Sequence, residues 1–442
     1  MEDIKILNEK ELIELIRSHR SKREEILRNK RYYRNENDIV KTGVLPADGQ
    51  DSLRSADNRI SHNFHQLMVD EKAAYMFTYA VQFDLDDNKE LNKNVAETLG
   101  DELESISQEL CVEASNCGTS FLHYWIDEEN EKEFEYALVP TEEIIVIYNR
   151  SLKKNIIEVF RYYSYKENDK SYTVVEQWDK ENFITYTLQG SSETEGLKLL
   201  NIEEVKHNLE AVPFIEFKNN KDKIPDLNKY KDLIDLADKV MSGYANDIED
   251  IQQLIYVLEG YGGQDLQEFK SDLKRYKAIK VDGGTDGGAV KTLQIEIPVE
   301  ARVKLIEILE KRIYESGQAL QQNVESVGQA SGVALKFFYR KLELKCGLTE
   351  TQFKKGFDEL IRAILKFLKK DAKKITQVYS RNMISNDMET AQMASISAGI
   401  ISEKSVLKNH AWVEDAEQEI EELKKERVES IPNLNQDGNL NE

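Results

Sequence analysis

The chain has 442 residues and carries 82 acidic against 60 basic side chains, a formal charge of −22. That length allows two to four domains around sizeable cores, and 32% charged residues with only 6 prolines favour a helix-rich soluble protein over a disordered or fibrous one. The acidity argues against tight non-specific binding of nucleic acid, which rests on Lys and Arg neutralising phosphates.

The first twenty residues are polar and charged, so no secretory signal is expected, and no apolar run approaches the roughly 18 residues of a membrane span. Cys111, Cys117 and Cys346 are too scattered for a disulfide framework or a zinc site, which points to reduced thiols in a cytosolic setting. Asn8–Tyr33 is predicted as an amphipathic helix, with Leu12, Ile13, Ile16, Ile26 and Leu27 on one side and many Arg and Lys on the other. The basic run Arg17–Arg31 reads as a solvated face, nucleic-acid binding being the alternative. Tyr32-Tyr33 and turn formers up to Asp38 close this helix. Lys41–Asp57 is a polar loop. Asn58–Phe83 is predicted as helical through Phe64, Leu67, Met68, Ala74, Tyr75 and Phe77, and Leu91–Cys117 as a further helix ending at Gly118. His62 and His65 lie one turn apart, but no third ligand stands in an evident motif, so an ordinary helix contact is expected rather than a metal.

From Thr119 to Phe217 the hydrophobic period changes to two. Segments such as Phe121–Ile126, Phe134–Val139, Ile144–Tyr148, Ile156–Tyr165, Tyr172–Trp178 and Phe183–Leu188 alternate with charged turns, which predicts an antiparallel meander covered on one face by the preceding helices. Its tyrosines read as sheet packing rather than a base-stacking platform, because no basic residues are interleaved with them.

A long helix is predicted from Asp226 to about Leu258, spanning roughly 50 Å at 1.5 Å per residue. Gly243 in its middle suggests close packing or a kink. Gly260–Ile297 is a small insertion, with a helix at Leu266–Tyr276 and strands at Ala278–Val281 and Val290–Ile297 around Gly283, Gly284, Gly287 and Gly288. That turn lacks the Gly-Lys-Ser/Thr ending of a phosphate-binding loop and reads as a hairpin tip.

Pro298 suits a helix start, and Val299, Val303, Ile306, Leu309 and Ile313 form one stripe after it. Glu300 precedes Lys304 by four and Glu307 precedes Lys311 by four, the favourable orientation for exposed ion pairs. Gln318–Gln329 is polar and without period. Ser331 can cap a new helix carried by Val333, Leu335, Phe337, Phe338 and Leu342, running to about Lys370 with interruptions at Gly347 and Gly356. Asn382–Glu429 reads as short helices, one capped by Ser402, and Pro432–Glu442 as a disordered tail. There is no nucleophile elbow, HExxH, EF-hand loop or dinucleotide-binding fingerprint, so nothing in the sequence supports catalysis.

The order of elements resembles the portal proteins of tailed bacteriophages, of the siphophage type. The likeness is carried by Tyr32-Tyr33 with Asp38-Ile39, by Asn58 and Asn63 before a helix, and by Val139-Pro140 before Ile144–Tyr148. It continues in Leu233-Ile234-Asp235, Ser242 and Asp247-Ile248-Glu249, then in Ser331–Lys336, Ile401-Ser402-Glu403 and Val413-Glu414-Asp415. It covers about residues 10 to 428. Asn35 and Asn37 stand where the family often has Gly and His, and Ser405 where it usually has Thr. Asn adopts the left-handed conformation that Gly serves, so the turn is expected to survive.

The resemblance implies an α+β, mostly helical portal fold assembled as a ring of about twelve subunits at one capsid vertex. It implies a wing at 1–225, stem helices at 226–258 and 298–319, a small α/β clip at 259–297 and a tunnel loop at 320–330. A long wing helix at 331–380, a helical crown at 381–430 and a tail at 431–442 complete it. Double-stranded DNA would pass through the channel, where Gln321, Gln322, Asn323, Glu325, Ser326 and Gln329 would face it. Terminase and then a head–tail connector or adaptor would dock on the clip at Gln264, Asp265, Lys270, Lys274, Asp282 and Asp286. Capsid and scaffolding proteins are further implied partners; a membrane, a metal and a cofactor are not. The expected location is the virion, with host cytoplasm during assembly. In such a ring the acidic excess is multiplied about twelvefold, so DNA would be repelled and slide rather than be gripped. The competing reading is an acidic helical scaffold or adaptor that binds protein partners without DNA, which size in solution would distinguish.

Overall fold

The computed structural model describes residues 5–42, 56–127, 133–192, 196–207, 209–250, 255–259, 289–293, 298–320, 332–381, 387–397, 399–408, 413 and 416–429. The chain divides into two compact units, Met1–Ala319 with Lys345–Arg381, and Leu320–Leu344 with Asn382–Glu442. Secondary structure is mixed helix and antiparallel sheet, an α+β fold.

In the larger unit, α1 (Glu9–Tyr33) begins at a reciprocal cap. The Asn8 side chain accepts from the Lys10 and Glu11 amides, and the Glu11 carboxylate accepts from the Asn8 amide at 2.9 Å. The helix stops where Asn35 turns left-handed, with φ 60°, so asparagine does serve there. After α2 (Asp38–Thr42), α3 spans Phe64–Phe77, shorter at both ends than its hydrophobicity predicts. Residues 58–62 are drawn off by hydrogen bonds to a later helix, and the apolar run after Phe77 enters β1 (Gln82–Leu85). The single helix predicted over Leu91–Cys117 is two, α4 (Lys89–Leu99) and α5 (Leu103–Cys117), broken at Gly100 with φ 65°. Gly118 caps α5 with φ 85°, and a Cβ there would meet the Lys223 carbonyl oxygen at 2.1 Å, so only glycine fits.

The predicted meander is two sheets. β2 (Thr119–Asp127), β3 (Glu133–Val139) and a late strand form one, and β4 (Ile144–Tyr148), β5 (Ile156–Glu167), β6 (Lys170–Trp178), β7 (Asn182–Gln189) and β8 (Lys198–Lys206) form the other in sequential antiparallel order. The late strand is β9 (Phe214–Lys218), which returns to lie beside β2. The division falls at Pro140, after which a 3-10 turn, Thr141–Glu143, redirects the chain. As expected, a preceding helix covers the five-stranded sheet: Leu12 and Ile16 of α1 pack on Phe160, Tyr162, Val175, Ile184, Tyr186 and Leu188.

A 3-10 turn, Asp226–Lys229, leads into α6 (Lys231–Asp250). The sequence predicts this helix to about Leu258, but Ile255–Glu259 is a strand, β10, paired antiparallel with β11 (Ala289–Leu293). A short apolar run of β-branched and aromatic residues satisfies either period, and here pairing decides. β11 therefore pairs with residues that the sequence assigns to the end of the helix from Asp226; Ala278–Val281, Leu266–Tyr276 and the glycine turn lie outside the described residues. Next come α7 (Val299–Gly317) and α8 (Gly332–Phe367), the latter 36 residues without a break at Gly347 or Gly356. Gly356 is there for contact: a Cβ would meet the buried Phe217 ring at 2.6 Å. On α7 the exposed ion pairs are Lys304–Glu307 at 2.9 Å and Arg312–Glu315 at 3.0 Å, each three residues apart rather than four. β12 (Ile375–Val378) pairs with β1.

The smaller unit contains the start of α8 and the helices α9 (Asp387–Ser397), α10 (Glu403–Lys408) and α11 (Ala416–Glu429). Ser402 caps α10, its hydroxyl accepting from the Ser405 amide at 3.3 Å.

Candidate channel and docking elements

One side of α6 is a ladder of polar side chains at helical spacing: Asp235, Asp238, Ser242, Asn246 and Glu249. Each binds a segment some 180 to 200 residues earlier. The Tyr32 hydroxyl donates to Asp235 and accepts from the Asp38 amide at 3.3 Å. Lys231 bridges Asp38 at 3.0 Å and Asp235 at 2.7 Å. Asp238 is fully buried; it accepts from the His62 amide at 3.0 Å, from Asn37 Nδ2 at 2.7 Å and faces His62 Nδ1 at 2.7 Å. Ser242 Oγ accepts from the Ile60 amide at 2.9 Å, and Asn246 Oδ1 from the Asn58 amide at 2.6 Å. Asn58 Nδ2 donates to Glu249 at 2.6 Å. The motifs around Tyr32, Asp38, Asn58, Asp235, Ser242 and Glu249, scattered in sequence, are thus one contact surface. Asn37, noted above only as a departure from the family, belongs to it, as do Asp238 and Asn246, which the sequence reading did not single out. The i, i+4 and i+8 register of Asp238, Ser242 and Asn246 was the available signal.

His62 is accounted for as a partner of Asp238. His65 is buried between the Tyr230 hydroxyl and Asn116 Oδ1, each at 2.8 Å, and burial holds its ring down to about 4. Both read as ordinary contacts. The described residues hold no group of three His, Cys, Asp or Glu placed to bind a metal ion.

The opposite, apolar side of α6 packs on α7 and the start of the chain through Tyr32, Met68, Leu227, Tyr230, Ile234, Ala237, Leu309, Ile313 and Ala319. Arg302 of α7 pairs with Asp247 of α6 and lies over the Tyr244 ring. The apolar surface of the two helices is wider than this contact. Leu236 on α6 and Leu305 and Ile308 on α7 remain exposed among the described residues.

The tyrosines of the five-stranded sheet split between burial and edge. Tyr162 and Tyr186 are in the core, while Tyr165 stacks on Tyr172 at 5.5 Å at the sheet end. The three cysteines are buried free thiols; burial pushes Cys346 up to about 12 and Cys117 well above its ordinary value. Gln321, Gln322, Asn323, Glu325, Ser326 and Gln329, together with Gln264, Asp265, Lys270, Lys274, Asp282 and Asp286, lie outside the described residues.

The family described as "Phage portal protein, SPP1 Gp6-like" matches residues 13–433. The chain belongs to this portal family. The "Portal protein" of Clostridium phage phiCD119 is 53% identical over 420 residues, covering 91% of this chain and 93% of that protein. The "Portal protein" of Bacillus phage SPP1 is 33% identical over 431 residues, covering 91% and 84%. Among solved structures, a chain from the "Neck of native GTA particle computed with C12 symmetry" aligns with a TM-score of 0.44 at 11% identity, covering 78% of this chain and 87% of that one. Members of the portal family are structural, non-enzymatic components of the capsid. No described helix of this portal-family chain is long and apolar enough to cross a membrane.

Proposed function

We propose that the chain forms a ring of about twelve copies at one vertex of the capsid, through which double-stranded DNA enters during packaging and later leaves. The single observation that carries the assembly is the exposure of apolar side chains of the α6–α7 pair at Leu236, Leu305 and Ile308. A helix pair that is apolar beyond its mutual contact needs a further neighbour, and portal-family membership supports the next copy of the chain as that neighbour. In this reading residues 1–225 are the wing, α6 and α7 the stem, 259–297 the clip and 320–330 the tunnel loop. The long helix α8 joins the wing, and 381–430 are the crown inside the capsid. Terminase and then the head–tail connector dock on the clip, and capsid and scaffolding proteins contact the ring. Assembly takes place in the host cytoplasm before incorporation into the virion.

The Gln321, Gln322, Asn323, Glu325 segment has no Lys or Arg, so it offers passing phosphates exchangeable hydrogen bonds and no cation to trap them. Electron microscopy of the purified protein tests the assembly: rings with a hole wide enough for a duplex are expected. A strictly monomeric species at high concentration and in capsid lysates would refute it and favour a protein-binding scaffold. The double substitution Leu305→Glu with Ile308→Glu is expected to abolish rings while leaving the folded subunit. Glu325→Lys is expected to leave rings intact and slow DNA passage, more strongly at low salt where screening is weaker. Wild-type passage at all salt concentrations would remove residues 320–330 from the channel.

A further inference from the structure

Two lysines share one carboxylate inside the larger unit. Asp226 is 1% exposed in the turn before α6, Lys72 is 0% exposed on α3, and Lys345 is 4% exposed on α8. Asp226 Oδ2 lies 3.2 Å from Lys72 Nζ and 3.3 Å from Lys345 Nζ. Its Oδ1 accepts from Asn219 Nδ2 at 3.1 Å and pairs with the partly exposed Lys229 at 3.2 Å. Burial alone would raise the Asp226 carboxyl, but Lys345, Lys72 and Lys229 outweigh it and hold the group well below the usual carboxylate range. Asp226 is therefore favoured as an anion, and a single lysine would suffice to balance its charge.

The second lysine has another use. Lys72 spends its remaining hydrogens on Ser115 Oγ, at 3.0 Å, and on Asn219. Lys345 donates to the Gly317 carbonyl oxygen at 3.0 Å. Gly317 is the last residue of α7, where the unsatisfied carbonyls of a helix end favour a cation. After it, Gln318 turns left-handed with φ 54°, the Gln318 amide donates to Glu315 O at 3.3 Å and the Ala319 amide to Tyr314 O at 3.1 Å. A side chain at Gly317 would press on buried Met68, its Cβ only 2.2 Å from Sδ. The chain leaves the larger unit after Ala319 and re-enters it at Lys345. One ammonium, on the first residue of the stretch that re-enters the larger unit, thus holds the last carbonyl of the departing helix.

We propose that Asp226, Lys345 and the Gly317 carbonyl form a buried clamp that fixes where and in what direction the chain departs for, and returns from, residues 320–344. Lys345 is then a positioning residue for the channel segment, a role that rests on the channel reading of residues 320–330. Lys72 keeps Asp226 paired when Lys345 is removed, so the clamp can be opened without leaving a buried unpaired carboxylate.

An internal reference exists. α8 ends with the same backbone cap: Lys369 is left-handed with φ 55°, its amide donates to Lys366 O, and the Lys370 amide donates to Leu365 O, but on the exterior. The test is amide hydrogen exchange on the full-length assembled protein, wild type against Lys345→Met, with DNA passage measured in parallel. The variant is expected to form rings and to raise exchange at the Gln318 and Ala319 amides at least tenfold, leaving Lys370 unchanged. Lys345→Gln, which keeps a shorter donor, is expected to fall between. Unchanged exchange at Gln318 and Ala319 overturns the clamp, whatever DNA passage does. Raised exchange with wild-type passage supports the clamp and counts against the channel reading instead. Should neither variant fold, the wild-type protein decides: Ala319 is expected to exchange at least a hundredfold more slowly than Lys370, and equal rates overturn the clamp.

Discussion

The five-stranded sheet and the polar side of α6 are held by different physics. In the sheet, β5 to β8 each pair with the next strand in the chain, and register follows from alternation and connection length. Its stability is apolar area shared among many side chains packed on α1, so losses scale with the area removed. The α6 ladder stakes its stability on a few polar groups. Asp238 alone serves one backbone amide and two side chains brought from 176 to 201 residues away. A ladder whose members are satisfied together fails together, because each lost partner leaves a buried polar group unpaired.

Breaking the ladder should therefore cost most. Asp238→Ala leaves the His62 amide and the His62 ring without this acceptor and Asn37 Nδ2 with only the His62 carbonyl oxygen at 3.1 Å, and is expected to cost about 3–5 kcal/mol in chemical unfolding. A loss below about 1 kcal/mol would show that the ladder is no more critical than the sheet.

Acid titration compares the two regions next. Burial holds His65, between Tyr230 and Asn116, and His19, between α1 and the sheet, at about 4, whereas an unfolded histidine takes up its proton near pH 6.5. Between those values the unfolded chain binds more protons, so stability present above pH 6.5 is lost as pH falls toward 4. The loss per buried histidine is on the order of 3 kcal/mol. His65→Gln is expected to flatten this slope more than His19→Gln, because the His19 ring is less enclosed and its contribution more screened. Equal flattening would remove the contrast.

Inside the sheet the expected effects shrink. Tyr186 OH donates to Gln177 Oε1 at 2.6 Å and accepts from the Leu7 amide at 3.0 Å, so Tyr186→Phe should cost about 1–2 kcal/mol. At the edge, Leu200 of β8 is exposed beside a register shift, and Leu200→Thr should change stability by less than about 0.5 kcal/mol. A large loss there would mean that β8 is covered in the assembly.

Local periodicity determined much of this protein. Alternation gave the strands from Phe121 to Leu188, 3–4 spacing gave α1, α7 and most of α8, and the asparagine turn after Tyr32-Tyr33 was readable because left-handed residues follow from side-chain sterics. The order of short motifs gave the portal family. Periodicity could not separate helix from strand at Ile255–Glu259, because a run of four apolar residues, Ile255 to Leu258, fits both until a partner strand chooses. It could not divide the meander at Pro140, nor tell Gly356, required by the Phe217 ring, from Gly347, which has nothing within 4 Å of a Cβ. Least of all could it find Asp238, or the pairing of Lys72, Asp226 and Lys345. A buried charge is tolerated only where its partners converge, and that convergence joins residues 72, 226 and 345, a separation that no local pattern encodes.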